Sequence, residues 1–242
     1  MSTFIDLTNQ LLRRLNEVEI APADFPSVQG VQATAKDAIR NAIAQINLSE
    51  YEWPFNAVEH TQQLVAGQEE YSFPQYLKVA DFNSFQLQAD SSLDVSSTML
   101  DFIDRDTYYR HHKDLDDDAG TDGRGVPTTV AQGFGNGYII TPSPDKAYTI
   151  RFRYYQTHTD LTAPSDTTRV PPAFAQVIIE GALVQMYMFR DNTESAGIST
   201  ALFQQGIKDM QGVLINKYEA ISDTRVWRRS GATGLNFYGR HF

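Results

Sequence analysis

The side chains that could bind a metal ion are concentrated at one point of the chain. His111 and His112 are followed by a run of carboxylates at Asp114, Asp116, Asp117 and Asp118. Imidazole and carboxylate groups ligate metals, but adjacent histidines on a helix point about a quarter-turn apart and do not easily share one ion. Counted as a calcium loop, the run has Gly120 one place late and Gly125 where the bidentate glutamate belongs. We therefore expect a solvated loop, with a metalloenzyme as the remote alternative.

Other catalytic signals are weak. The chain contains no cysteine, which excludes disulfides, thiolate zinc sites, iron–sulfur clusters and cysteine nucleophiles. The glycine-rich stretch 133–137 lacks the spacing of a dinucleotide or phosphate loop, and its Asn136-Gly137 is typical of a hairpin turn. No GxSxG motif occurs, and Glu69-Glu70 is an acidic pair in a predicted turn. The sequence therefore predicts a protein that is not an enzyme and holds no cofactor or metal.

Charge is distributed unevenly along the chain. The formal net charge is −10, yet residues 223–242 carry four arginines and one aspartate, a net charge of +3. Subtracting +3 from −10 leaves −13 for the other 222 residues. An acidic body should repel nucleic acid, whereas a basic tail should attract an acidic partner.

The C-terminal arm, residues 223–242, has the composition of a binding segment. Its glycines disfavour a stable helix, while its aromatic residues are too apolar for a plain disordered tail. Tryptophan, tyrosine and arginine dominate interface hot spots. The candidate docking residues are Arg225, Trp227, Arg228, Arg229, Phe237, Tyr238, Arg240 and Phe242. The arm could fold onto its own body, bind nucleic acid through arginines and stacking aromatics, or order on a partner protein, which we favour.

The stretch from Val31 to Phe55 predicts an amphipathic helix followed by an anchor. Apolar residues recur every three or four positions, at Val31, Ala35, Ala38, Ile39, Ala42, Ile43 and Ile46. The helix must end before Pro54, because proline lacks a backbone donor and pushes Trp53 into an extended conformation. We expect Trp53, Pro54 and Phe55 to be a structural anchor at the crossing into the next part of the chain.

Three further helices are predicted. The first, Thr3 to Glu17, begins with a capping box formed by Thr3 and Asp6. Its stripe of apolar residues continues one residue beyond the helix, to Val18. Ala173 to Arg190 follows Pro171-Pro172 and is apolar nearly all round, which places it centrally. The last runs from Ser199 to Ile221, and its apolar stripe is Phe203, Ile207, Met210, Leu214, Tyr218 and Ile221.

No segment is predicted to enter a membrane. The N-terminus lacks the apolar core of a signal peptide. The longest apolar run, Val177 to Phe189, is too short to span a bilayer and is broken by Glu180 and Gln185. We expect a soluble protein.

Between about Glu59 and Thr159 the apolar period changes from 3.6 to 2, which predicts a sheet. Val58 to Val65 and Glu69 to Phe73 flank Ala66-Gly67-Gln68 as a plausible hairpin. Other strands are expected at Leu77 to Leu87, Tyr138 to Thr141 and Tyr148 to Tyr155, and a short helix at Asp104 to Leu115.

The order of elements predicts an α+β fold. N-terminal helices (1–55) and C-terminal helices (161–222) form one bundle, an antiparallel β-rich domain (56–160) is inserted between them, and an extended arm (223–242) follows.

Two blocks of the sequence resemble the tail tubular protein A adaptors of short-tailed phages. The first includes Leu11 to Glu19, Gly30-Val31-Gln32, Ala35 to Ile39 and Glu52 to Asn56. The second includes Gly125-Val126-Pro127, Ile139 to Tyr155 and Leu161 to Asp166. The similarity covers essentially the whole chain, and related head-completion (stopper) proteins share the same general layout.

The resemblance implies a virion component of the tail or neck, made in the host cytoplasm. Such adaptors form a homo-oligomeric ring of twelve subunits beneath the portal protein and extend the channel through which genomic DNA passes without specific binding. They provide the platform for the tail nozzle, a tail tubular protein B-like protein, and for tail fibre proteins. In that family the C-terminal arm reaches the portal. Nucleic-acid binding through the basic arm is the alternative function.

Overall fold

The computed structural model describes residues 2–92, 94–113 and 123–215. Within them the chain forms five α-helices and eight β-strands, which confirms the α+β fold. The helices are α1 (Phe4–Arg14), α2 (Val31–Ser49), α3 (Arg105–His111), α4 (Ala175–Phe189) and α5 (Thr193–Leu214). The strands are β1 (Ala57–Gln63), β2 (Glu70–Ser72), β3 (Leu77–Leu87), β4 (Thr98–Met99), β5 (Asp101–Ile103), β6 (Thr129–Gln132), β7 (Gly137–Thr141) and β8 (Thr149–Gln156).

The capping box predicted for α1 is confirmed. The amide of Asp6 donates to Thr3 Oγ1 at 3.3 Å, and the amide of Thr3 donates to Asp6 Oδ2 at 3.2 Å. These two hydrogen bonds lower the pKa of Asp6. The helix ends earlier than predicted, because Asn16 adopts a left-handed backbone with φ of 57° just beyond it. Val18 therefore leaves the predicted buried stripe and is 77% exposed.

The α2 helix buries the face that its sequence predicts. Its Ala35, Ala38, Ile39, Ala42, Ile43 and Ile46 are all buried. The backbone becomes extended at Glu50, and a 3₁₀ turn, Pro54–Asn56, precedes β1. The helix has therefore ended before the proline, as expected.

The α4 helix is central to the helical core, as predicted from its composition. It contacts α1, α2 and α5, and its buried apolar residues are Val177, Ile178, Ile179, Ala182, Leu183 and Met186. The segment Pro172–Phe189 is long and apolar enough to cross a membrane by length and composition alone. Its packing against three helices accounts for that composition, although Met188 and Phe189 at its end are exposed.

The α5 helix begins six residues before the predicted start at Ser199. Asn192 caps it by accepting a hydrogen bond from the amide of Ser195 at 3.1 Å, so the residues from Thr193 onward are already helical. Phe203 and Met210 on the predicted stripe are buried. The predicted end at Ile221 lies outside the described residues.

The strands form two four-stranded sheets with the orders β1-β8-β3-β4 and β2-β7-β6-β5. The rings of Phe85 and Phe152, both from the first sheet, stack at 4.3 Å between centroids. Tyr138 of the second sheet lies 5.2 Å from Phe85 and 5.5 Å from Phe152. The inner faces of the two sheets therefore share one aromatic core.

Two predictions about strand pairing are wrong. The strands on either side of Ala66-Gly67-Gln68 do not form a hairpin, because β1 pairs with β8 and β2 pairs with β7. The turn instead carries the chain from one sheet to the other. The β part is also not purely antiparallel, because β5 and β6 pair in parallel. The turn predicted at Asn136-Gly137 is confirmed between the antiparallel strands β6 and β7.

The short helix predicted after Asp104 is confirmed as α3. The Asp104 carboxylate accepts hydrogen bonds from the amide and the hydroxyl of Thr107 at 2.7 and 2.6 Å, which lowers the pKa of Asp104. Tyr108 packs with Ala131 and Ile139 in a small separate core. This helix therefore covers part of the second sheet.

Candidate functional site

The anchor residues lie where the helices meet the sheets. Trp53 is fully buried in the helical core, and its indole Nε1 donates to the carbonyl oxygen of Ile46 at 2.7 Å. The ring of Phe55 stacks on Trp53 at 5.3 Å. Pro54 is the first residue of the 3₁₀ turn, Pro54–Asn56, which connects Trp53 to β1. This arrangement fixes the direction in which the chain leaves α2.

A lysine at the start of β3 contacts the end of α2. Lys78 Nζ donates to the carbonyl oxygens of Asn47 and Glu50, the latter at 2.8 Å. A cation at this position also interacts favourably with the negative end of the helix dipole. Burial lowers the pKa of Lys78. Sequence reasoning missed this contact, because the lysine and its acceptors lie about 30 residues apart in the chain.

Two asparagines complete this junction. Asn47, at the end of α2, donates to the carbonyl oxygen of Ile43 at 2.8 Å. Its Oδ1 accepts a hydrogen bond from Asn56 Nδ2 at 2.6 Å. Both asparagines are buried. Their polar atoms tie the helix end to the segment that leads into β1.

The candidate metal site is only partly within the described residues. His111 is exposed at the end of α3, and His112 follows it at the helix C-terminus. Asp114, Asp116, Asp117, Asp118 and Gly120 lie outside the described residues. Among residues 2–92, 94–113 and 123–215, no group of three potential ligands is close enough to hold a metal ion.

A broad polar groove lies between α2 and the segment after β8. It measures about 500 Å³ and is lined by Asp37, Arg40, Asn41, Ala44, His158, Asp160 and Thr162. Arg40 is already engaged, because its Nε donates to the Leu161 carbonyl at 2.7 Å and one of its terminal nitrogens lies 3.3 Å from Asp37. His158 Nε2 lies 3.5 Å from Asp160. The groove lining therefore contains one ion pair, Arg40 with Asp37, and one imidazole–carboxylate contact, His158 with Asp160.

The helical part exposes several large apolar side chains. On α5, Ile198, Leu202 and Val213 are 60%, 52% and 73% exposed. Leu48 and Tyr51 at the end of α2, and Met188 and Phe189 at the end of α4, are also more than half exposed. Exposed apolar surface of this kind is typical of proteins that bind other proteins.

A smaller aromatic surface lies at the tip of the β part. Phe134 in the loop between β6 and β7 is 62% exposed, and the guanidinium of Arg105 lies 5.0 Å from its ring centroid. Arg105 also donates to the carbonyl oxygen of Gly133 at 2.6 Å, and Tyr109 lies 5.6 Å from Phe134. Helix α3 therefore holds this loop in place from one side.

The arm residues singled out from the sequence lie outside the described residues, since the description ends at residue 215. The exposed apolar residues of α5 were also missed, because only one stripe of that helix was assigned.

Two comparisons with known proteins bear on this chain. A family model described as SU10 adaptor protein matches residues 2–232. No curated protein matches the chain.

Proposed function

Because the chain belongs to the SU10 adaptor protein family, whose members are structural adaptors of phages, we propose that it is the head-to-tail adaptor of a virion. The observation that carries this proposal is the extent of the match, residues 2–232, which includes both the helical part and the β part. In this role it acts in the tail or neck as a structural protein and catalyses no reaction. A head-completion protein is the closest alternative.

The finer proposal concerns the assembly. Twelve copies form a ring beneath the portal protein, extend the channel for genomic DNA, and carry a tail tubular protein B-like nozzle and tail fibre proteins. The exposed apolar side chains of the helical part support a role in assembly, since large exposed apolar surfaces often mark protein interaction sites. The acidic body supports a channel in which DNA moves without binding, because an excess of negative charge repels the phosphate backbone.

We assign the parts of the chain as follows. Residues 1–55 and 161–222 form the helical unit of the ring, and residues 56–160 form an inserted β unit. The separate hydrophobic cores support this division: one includes Phe4, Trp53 and Met186, and the other includes Phe85 and Phe152. The anchor at Trp53, Pro54 and Phe55, of which Trp53 is fully buried, joins the two units.

The C-terminal arm, residues 223–242, docks on the portal. Its candidate contacts are Arg225, Trp227, Arg228, Arg229, Phe237, Tyr238, Arg240 and Phe242. Arginine and large aromatic residues provide most of the binding energy of protein interfaces. The arm's charge of +3 on a body of −13 further favours an acidic groove as its binding site.

The test is a truncation that leaves every described residue in place. A chain without Asp223 to Phe242 should keep the circular dichroism spectrum and melting temperature of the full chain, but should no longer attach to heads that carry portal protein. Normal attachment of the truncated chain would contradict the role of the arm.

Two matched experiments refine this result. Changing Arg225, Arg228, Arg229 and Arg240 to lysine keeps the charge, so full attachment by that variant would show that charge alone is sufficient. A full-length chain that attaches only to heads already carrying another neck protein would be a head-completion protein instead.

A further inference from the structure

The α5 helix has a second apolar face besides the one it buries. Ile198, Leu202 and Val213 fall within about 60° of arc at 3.6 residues per turn. Phe203 and Met210, which are buried against the core, lie about 110° and about 90° from the centre of that arc. An ordinary surface helix has one apolar stripe, so a second one indicates a second packing partner.

We define the outer face of α5 as Ile198, Ala201, Leu202, Gln205, Asp209, Gly212 and Val213. All seven are exposed, and only Asp209 is charged. Asp209 is itself engaged, accepting a hydrogen bond from Gln205 Nε2 at 2.8 Å. The face extends for about 22 Å along the helix at 1.5 Å per residue. It is thus a long, nearly uncharged strip.

Gly212 has no side chain, which flattens the outer face, and packing within the described residues does not require a glycine there. No atom of the described residues lies within 4 Å of where its Cβ would be, so no neighbour there forbids a side chain. Glycine is less favourable than alanine inside a helix. By contrast, a Cβ at Gly206 of the same helix would lie 2.8 Å from Val177. A glycine that no internal neighbour demands is consistent with close approach by another molecule.

We propose that the outer face of α5 is covered by a second copy of this chain. The proposal rests on the proposed function, because a closed ring joins two different surfaces of the same molecule. The chain offers further exposed apolar residues for the second surface, Leu48 and Tyr51. These two residues lie at the end of α2, which approaches α5 from a different side. The side chain of Gln211 on α5 donates to the Glu50 carboxylate at 3.5 Å. Around the axis of α5, Gln211 lies about 140° from Ile198.

Charge also favours this occupant. Each body carries −13, so two copies repel one another except where their contacting surfaces are nearly neutral. A long apolar strip with a single, internally bonded aspartate meets that condition. A basic or nucleic-acid partner would instead need charged side chains on this face.

The absence of cysteine allows a direct test. The single substitution Leu202→Cys in the full chain provides one thiol for a maleimide probe, and sedimentation velocity reports the oligomeric state over a dilution series. We expect the thiol to react quickly in dilute, monomeric protein and to be at least tenfold slower in the oligomer. A thiol that reacts slowly in the monomer would show that the chain's own residues cover the outer face. Equal reactivity in monomer and oligomer would show that no second copy covers it. Either result overturns the proposal.

A charged substitution gives an independent measurement. Leu202→Glu should shift the oligomer to monomer, while Val65→Glu in the β part, at an apolar side chain of similar exposure (55% against 52%), should leave it unchanged. A wild-type chain that remains monomeric at every concentration also overturns the inference. Attachment to portal-bearing heads is measured separately. If Leu202→Glu still forms the normal oligomer and still attaches to heads, the proposed interface is refuted while the adaptor function is not.

Discussion

At the scale of single residues, one glycine determines how closely three helices pack. A Cβ at Gly181 of α4 would lie 2.7 Å from the ring of Phe203 on α5 and 3.1 Å from Ala42 Cβ on α2. The Cβ of Ala42 cannot move without displacing α2, and the ring of Phe203 is buried among other core side chains. The hydrogen at this position therefore fixes the distance between α4 and its two neighbours.

Gly181→Ala should destabilise the protein. The added methyl group forces the packed helices apart, which typically costs about 1–3 kcal/mol. The matched control is Gly212→Ala on α5, where the added Cβ meets open space and should stabilise the helix by up to about 1 kcal/mol. Urea denaturation at one fixed dilute concentration measures both, and equal free energies of unfolding would contradict this packing.

Some residue roles could be predicted from the sequence and others could not. The capping box of Thr3 and Asp6 was predictable because both partners lie within one helical turn. Lys78 was not, because its acceptors are the backbone carbonyls of Asn47 and Glu50, which have no side-chain signature and become neighbours only when β3 docks on α2.

At the scale of elements, α1 is held by the loop before α4. The amides of Phe4 and Ile5 donate to the carbonyl oxygens of Asp166 and Pro164 at 2.7 and 3.2 Å. The Asp166 carboxylate in turn accepts hydrogen bonds from the amides of Thr162 and Ala163, both at 2.7 Å. One aspartate thus shapes the loop that binds the first turn of α1.

The charge of Asp166 should make stability depend on pH. The two backbone hydrogen bonds lower the pKa of Asp166 below its ordinary value of 3.8. The unfolded chain therefore holds more protons in this range, so the stabilisation is present above about pH 4 and is lost as pH falls through the folded-state pKa. Asp166→Asn should lower the free energy of unfolding at neutral pH and should have little effect in strong acid.

Urea denaturation repeated over this pH range compares wild type with Asp166→Asn. Asp24→Asn, at an exposed aspartate, is the control for the loss of one negative charge. A difference between wild type and Asp166→Asn that stays constant into strong acid would show that ionisation of this carboxyl group does not matter.

The pairing of strands could not be predicted from local patterns. The alternation of β8 was predictable, since Ile150, Phe152 and Tyr154 face the core. The partners of β1 and β2 were not, because period-2 alternation identifies a strand without identifying its neighbour. The parallel pair β5 and β6 had no local signal, because its residues are joined through α3 and a longer connection.

At the scale of the whole molecule, charge separates the body from the arm. Residues 1–222 carry −13 and residues 223–242 carry +3. A body with this excess of carboxylates should not bind DNA, and any DNA affinity of the full chain should come from the arm.

Filter binding with duplex DNA tests this division. The chain ending at residue 222 should show no binding at any salt concentration. The full chain, with four arginines in the arm, should show at most weak binding that disappears as salt rises. Tight binding at physiological salt would instead favour the nucleic-acid-binding alternative.

The most direct test of the account is electron microscopy of the full chain mixed with heads that carry portal protein. We expect a ring of twelve subunits beneath the portal, with the outer face of α5 buried between neighbouring copies and residues 223–242 in contact with the portal. Heads without added density, or density of this chain on DNA and not on the portal, would contradict it.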